Sequence, residues 1–153
     1  MSIILVDLDN LYIINNKVNI PILLKRKEMI EKIENIKVIW FCNKKTAKLM
    51  KDENIIFTNL KISNIINDSA DHNLINYINK YKKNNKFTII TNDKTLMRVL
   101  YFIKKDKNIE FLSFVGKKIE KITNKINLCF KNQIDLDKFL TSYNLYKSRY
   151  VLL

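Results

Sequence analysis

Carboxylate side chains follow two of the strands that the sequence predicts, and they are the residues best suited to chemistry. Asp7 and Asp9 come directly after the apolar run at residues 2–6, and Asp93 follows the run at residues 87–91. The carboxyl ends of parallel strands meet at one edge of a sheet, so we expect these acids to lie close together. Carboxylates in one place repel one another unless a cation or a shared proton relieves them. Because their hard oxygens suit Mg²⁺ or Mn²⁺, this edge is a predicted metal site.

Asp71 adds a further acid to the same predicted site. It falls in the first turn of the helix that leads into residues 87–91, and Asp68 lies three residues earlier on nearly the same helix face. The helix dipole alone also explains acids in a first turn. Bound divalent ions activate water and stabilise charge that develops at phosphorus. An acidic metal pocket of this kind therefore predicts hydrolysis of a phosphate ester.

Apolar runs and helical spacings alternate along the chain. Short β-branched runs predict buried strands at residues 2–6, 37–42, 55–58, 87–91 and 109–115. Helices are predicted from Asn19-Pro21 onward and over residues 44–53, 70–82 and 93–104. This alternation is typical of a parallel sheet covered on both faces. We therefore expect an α/β domain with three layers, α/β/α, and a mostly parallel sheet of about five strands.

The last third of the chain predicts helices. Ile119, Ile122, Ile126 and Cys129 recur at helical spacing, and Lys118, Lys121 and Lys125 fall on another face of the same helix. Such a lysine stripe is a candidate nucleic-acid contact, although a solvated helix face is the commoner explanation. Asp135 is predicted to cap a last helix that carries Leu136, Phe139, Leu140 and Tyr143.

Three segments resemble PIN-like domains, most closely the NYN group of metal-dependent nucleases. They read ILVDLDNLYI, DSADHNLINYI and FTIITNDKTLMRVL, and the resemblance spans roughly residues 1–115. It implies that Asp7, Asp71 and Asp93 are catalytic and hold Mg²⁺ or Mn²⁺, and that Asn10 orients Asp7. It also implies a PIN-like, Rossmann-like sheet and single-stranded RNA as the substrate of an endoribonuclease.

The sequence departs from the family pattern after Asp93. Family members usually carry a further acid two to four residues later, where this chain has Thr95, Leu96 and Met97. The departure predicts one well-held metal ion and slow cleavage. Asp9 or Asp68 would be the supporting acids that compensate.

Two alternatives stay open. The segment Val6-Asp7-Leu8-Asp9 also resembles the start of haloacid dehalogenase-like phosphatases, in which Asp7 would be the nucleophile and Asp9 the acid/base. Thr58, at the end of the predicted third strand, would supply the hydroxyl of that family. Alternatively, the protein is a non-catalytic RNA-binding or interaction module, and its carboxylates merely cap helices and strands.

Net charge and composition limit the kinds of partner that the chain is expected to have. The 153 residues hold 28 lysines and arginines against 15 aspartates and glutamates, a formal net charge of +13 that attracts polyanions. No apolar run is long enough to span a membrane, and the N-terminus does not read as a secretory signal, so we expect a cytoplasmic protein. We expect one domain over residues 1–153, with a core at 1–115 and a helical extension at 116–153. A homo-oligomer or a protein partner stays open.

Overall fold

The computed structural model describes residues 2–33, 36–63, 70–80, 86–103, 109–122, 132–135, 137–138 and 141. Its elements, in chain order, are β1 (Ser2–Asp7), β2 (Ile13–Ile14), β3 (Lys17–Val18), α1 (Ile20–Glu31), β4 (Lys37–Cys42), α2 (Lys44–Asp52), β5 (Leu60–Ile62), α3 (Asp71–Lys80), β6 (Lys86–Ile90), α4 (Lys94–Ile103), β7 (Ile109–Val115) and β8 (Lys118–Lys121). A 3-10 turn at Leu8–Asn10 follows β1. None of the helices described here has the length and apolar character that crossing a membrane requires.

Six of these strands form one sheet in the order β5-β4-β1-β6-β7-β8. The first five in this order are parallel, and β8 returns antiparallel to β7. From β1 the chain moves outward to β4 and β5, then crosses back to β6 and moves outward to β7. The strand order therefore reverses between β1 and β6, which is where ligands bind in open α/β sheets.

Helices cover both faces of this sheet, as the sequence predicts for an α/β fold. Successive side chains of a strand point to opposite faces. Ile3 and Leu5 of β1 pack in one buried cluster with α3 and α4, whereas Ile4 and Val6 pack in another with α1 and α2. Asp7 continues the alternation of Ile3 and Leu5, so its side chain lies on the α3 and α4 face.

The buried Arg26 of α1 fastens two distant loops together. Its Nε and Nη2 donate to the carbonyl of Gly116 at 3.0 and 2.8 Å, and its Nη1 donates to the carbonyl of Leu11 at 2.8 Å. The guanidinium carbon also lies 5.0 Å from the centre of the Phe114 ring. Arg26 therefore joins the loop after β1 to the β7–β8 turn.

The strand predicted at residues 55–58 is wrong, and the third strand is β5 at Leu60–Ile62. Ile55 and Phe57 pack against the core instead of joining the sheet, and the ring of Phe57 lies 4.7 Å from that of Trp40, whereas Ile56 is exposed. Asn59 has a left-handed backbone with φ of 55°. This turn redirects the chain so that pairing with β4 begins at Leu60.

The helix predicted from residue 119 is also wrong at its start, because residues 118–121 form β8. Gly116, with φ of 60°, makes the tight turn that sends the chain back along β7. Residues beyond 122 in that predicted helix lie outside the described part. Farther on, residues 133–135 are helical and the cap is Asn132, whose Oδ1 accepts from the Asp135 backbone N–H at 2.9 Å. Asp135 therefore lies inside this helix, and the prediction that it is the cap is wrong.

A small hairpin between β1 and α1 has no counterpart in the prediction. β2 and β3 pair antiparallel, and Asn15 and Asn16 between them have φ of 51° and 62°. Two consecutive left-handed residues are typical of the tightest hairpin turns, for which asparagine is a common residue. After this hairpin, Asn19 caps α1 as predicted, because its Oδ1 accepts from the Ile22 N–H at 3.0 Å.

Candidate active site

Asp7 stands at the carboxyl end of β1 and is fully buried. Its Oδ2 accepts a hydrogen bond from Asn10 Nδ2 at 3.1 Å and another from Thr91 Oγ1 at 2.8 Å. Its Oδ1 is buried too and has no hydrogen-bond partner among the described residues. A buried carboxylate oxygen without a donor is costly, and such an atom calls for an explanation such as a bound ion.

The surroundings of Asp7 disfavour its ionised form. Burial is the largest cause that raises the pKa of its carboxyl, followed by the negative charges of Asp71 and then Asp9. The hydrogen bonds from Thr91 and Asn10 oppose this rise without cancelling it, so the pKa stays well above the usual range. A cation beside Oδ1 would reverse the balance, because an opposite charge favours the carboxylate.

Asp71 is the first residue of α3 and is only 3% exposed. Its charge acts on Asp7 directly, so the structure brings together these two predicted ligands, which are far apart in sequence. The partial positive charge at the start of a helix stabilises an acid there. Asp71 and Asp7 thus form the carboxylate pair of this edge.

Both carboxylate oxygens of Asp9 accept hydrogen bonds from backbone N–H groups of two other segments. Its Oδ1 accepts from the Asn43 N–H at 2.9 Å, and its Oδ2 accepts from the Ala70 N–H at 2.8 Å. Thr46 also donates a side-chain hydrogen bond to Asp9, and burial nevertheless raises the pKa of the Asp9 carboxyl. Asn43 precedes α2 and Ala70 precedes α3, so Asp9 ties the starts of both helices to the loop after β1.

Asp93 caps α4. Its Oδ1 accepts from the backbone N–H groups of Thr95 at 2.9 Å and Leu96 at 3.2 Å. Its own N–H donates to Thr91 Oγ1 at 3.0 Å, so the Thr91 hydroxyl connects Asp93 to Asp7. The described residues contain no group of three or more His, Cys, Asp or Glu side chains that could hold a metal ion. The pair of Asp7 and Asp71 is therefore joined to Asp93 through Thr91 and not through a shared three-carboxylate cluster.

The remaining predicted site residues divide in two. Asp68 and Lys125 lie outside the described residues. Lys118 and Lys121 are exposed on β8, where residues three apart point to opposite faces, and Lys121 lies 3.7 Å from Glu110. Lys118 and Lys121 therefore do not form one stripe on a helix.

Thr91 and Asn92 belong to the motif that ends in Asp93, but the sequence predicted no role for either side chain. Thr91 is buried beside Asp7 because Val6 pairs with Ile90, which places the next residue of each strand side by side. The side chain of Asn92 imitates a strand, since its Nδ2 donates to the Phe114 carbonyl at 3.1 Å and its Oδ1 accepts from the Phe114 N–H at 2.8 Å. Their position, directly after a strand that neighbours β1, was the available signal.

Comparison of the chain with family models, with curated proteins and with solved structures finds no match.

Proposed function

We propose that this protein is a metal-dependent nuclease of the PIN-like type that hydrolyses phosphodiester bonds of RNA at the carboxyl edge of the sheet. The buried Oδ1 of Asp7, which has no hydrogen-bond donor in the described chain, carries the proposal. Its place at the reversal of strand order, between β1 and β6, supports a ligand site there. The resemblance of the three acidic motifs supplies the reaction class.

The residues present suit one divalent ion. Asp7 Oδ1 and the neighbouring carboxylate of Asp71 are hard oxygen ligands, which Mg²⁺ and Mn²⁺ prefer. When bound, such an ion supplies an activated water and stabilises charge at phosphorus. Asn10 and Thr91 hold Oδ2 of Asp7 and so leave Oδ1 for the ligand. Asp93 uses Oδ1 to cap α4, and no acid follows it at Thr95, which favours one ion over two.

The phosphatase alternative receives less support. It needs Asp9 to exchange a proton with the leaving group. Both oxygens of Asp9 accept backbone N–H groups, from Asn43 and Ala70, and these contacts connect elements of the fold. We therefore rank metal-dependent cleavage of RNA above transfer of a phosphate to Asp7.

The proposal is tested by Asp7→Asn, which keeps the size of the side chain and removes its charge. Calorimetric titration with Mn²⁺ should show binding to the wild type and none to the variant, and cleavage of labelled single-stranded RNA should be lost with it. Asp52→Asn is the matched control, because Asp52 is exposed near the end of α2 and should bind and cleave as the wild type does. Release of phosphate from p-nitrophenyl phosphate without any RNA cleavage would overturn the proposal in favour of the phosphatase.

A further inference from the structure

Lysines follow the carboxyl ends of four neighbouring strands. Lys17 lies in β3 of the hairpin that follows β1, Lys44 and Lys45 come after β4, Lys94 after β6 and Lys117 after β7. All five side chains are exposed. We refer to these five lysines as the cationic rim, because they surround the edge at which Asp7 is buried.

The cationic rim is not neutralised by carboxylates. In the part of the chain that the structure describes, none of its five lysines lies within 4.0 Å of an acidic oxygen. The ion pairs of other described lysines lie elsewhere, and they join Lys27 to Glu31, Lys32 to Glu28, and both Lys86 and Lys121 to Glu110. These paired residues lie in or directly after the second half of α1, at the starts of β6 and β7, and at the end of β8. None of the ion pairs within the described chain therefore neutralises the five lysines of the rim.

The lysines of the rim follow the order of the strands across the sheet. The strands that they follow are consecutive in the sheet, in the order β4-β1-β6-β7. Neighbouring strands lie roughly 4.8 Å apart, so these four strand ends extend over about 14 Å. Asp7, at the end of β1, stands within this row and not at either end of it.

We propose that the cationic rim binds the sugar–phosphate backbone of a single-stranded nucleic acid, which crosses the sheet edge along the row of strand ends. A row of point charges fits a linear polyanion, whose phosphates each take a lysine, better than it fits the broad surface of a membrane. The path deepens the proposed nuclease function and rests on it for the idea that a phosphodiester passes over Asp7. Binding itself needs neither a metal ion nor catalysis.

The test measures affinity for a fluorescein-labelled oligouridylate by anisotropy in EDTA, over a range of salt concentrations. The rim variant replaces four lysines by alanine, Lys17, Lys44, Lys94 and Lys117. The control variant makes the same change of charge at the other end of the sheet, where Lys37 and Lys86 begin β4 and β6 and where Lys32 and Lys51 lie at the ends of α1 and α2. For single strands each phosphate contact contributes about 0.7 to the slope of log affinity against log salt, or roughly fivefold in affinity at 0.1 M salt.

We expect the rim variant to lose about this factor for each contacting lysine and to show a correspondingly shallower salt dependence. The control variant should bind close to the wild type. Equal losses in the two variants would overturn the proposal, because they would show an effect of net charge alone. Binding only to vesicles that contain phosphatidylserine, lost in the rim variant, would overturn it in favour of a membrane. Strand binding is measured in EDTA and Mn²⁺ binding is measured without RNA, so failure of the rim and failure of the proposed metal site are distinguishable.

Discussion

The hydroxyl of Thr91 donates a hydrogen bond of 2.8 Å to Oδ2 of Asp7 across the carboxyl ends of two adjacent strands. The same oxygen of Thr91 accepts the backbone N–H of Asp93 at 3.0 Å. One hydroxyl therefore orients the acid of β1 and the turn that begins α4. Because the Asp7 carboxylate is buried, this bond matters more than a surface bond of the same length.

Thr91→Val should destabilise the protein by about 1–3 kcal/mol, since it keeps the shape of the side chain and removes both hydrogen bonds. Urea unfolding monitored by circular dichroism measures this loss. Thr91→Ser, which keeps the hydroxyl, is the control and should lose less. A Thr91→Val protein as stable as the wild type would show that the hydroxyl does not hold Asp7.

Asp7→Asn should stabilise the metal-free protein at neutral pH. Burial and the charges of Asp71 and Asp9 raise the pKa of Asp7 above its unfolded value, so between the two pKa values the folded chain holds the proton more tightly. Raising the pH through this interval therefore lowers the free energy of unfolding, and the stability conferred at low pH is lost above the folded pKa. Urea unfolding in EDTA from about pH 4 to pH 8 should show this decline in the wild type and a weaker one in Asp7→Asn. Parallel profiles for the two proteins would contradict the raised pKa.

Asp9→Ala should destabilise the fold by about 2–4 kcal/mol, because it removes a charged acceptor from two backbone N–H groups. The amide protons of Asn43 and Ala70 should then exchange with solvent faster, and hydrogen exchange by mass spectrometry reports this at peptide resolution. Exposed Asp52→Ala is the comparison and should change neither measurement. Unchanged exchange at both helix starts would contradict the role of Asp9 as a tie.

Asp93→Asn separates capping from metal binding. Asparagine caps helices about as well as aspartate, so the free energy of unfolding should stay within about 0.5 kcal/mol of the wild type. If the Asp93 charge contributes to the metal site, Mn²⁺ affinity and RNA cleavage should fall while stability persists. Titration calorimetry on Asp93→Asn therefore decides whether Asp93 is a ligand or only a cap, and unchanged affinity would exclude it as a ligand.

The alternating strands and helices could be predicted because short, continuous apolar runs such as KVIWFC are typical of strands buried on both faces of a sheet. The run at residues 55–58 misled the prediction, since covering a sheet and joining it require the same apolar side chains. The helical spacing of isoleucines after residue 116 also misled the prediction, because the first of them, Ile119, lies in strand β8.

Part of the site could also be predicted from local sequence. The position of Asp7 at a strand end follows from local sequence, and Asn10 contacts it from three residues away. The contact with Thr91 depends on which strands are neighbours, and the contacts of Asp9 with Asn43 and Ala70 depend on how two helix starts approach the loop. Sequence spacing carries no record of such long-range pairings.

The hydrogen bonds of Arg26 determine which truncated forms of the chain keep its acceptors. Its guanidinium gives two of its hydrogen bonds to the carbonyl of Gly116, 90 residues away in sequence. A chain shortened to end at Val115, where the family resemblance stops, would leave a buried cation without these acceptors. A fragment that keeps both of these hydrogen bonds must therefore include Gly116, even though the acids of the site all precede it.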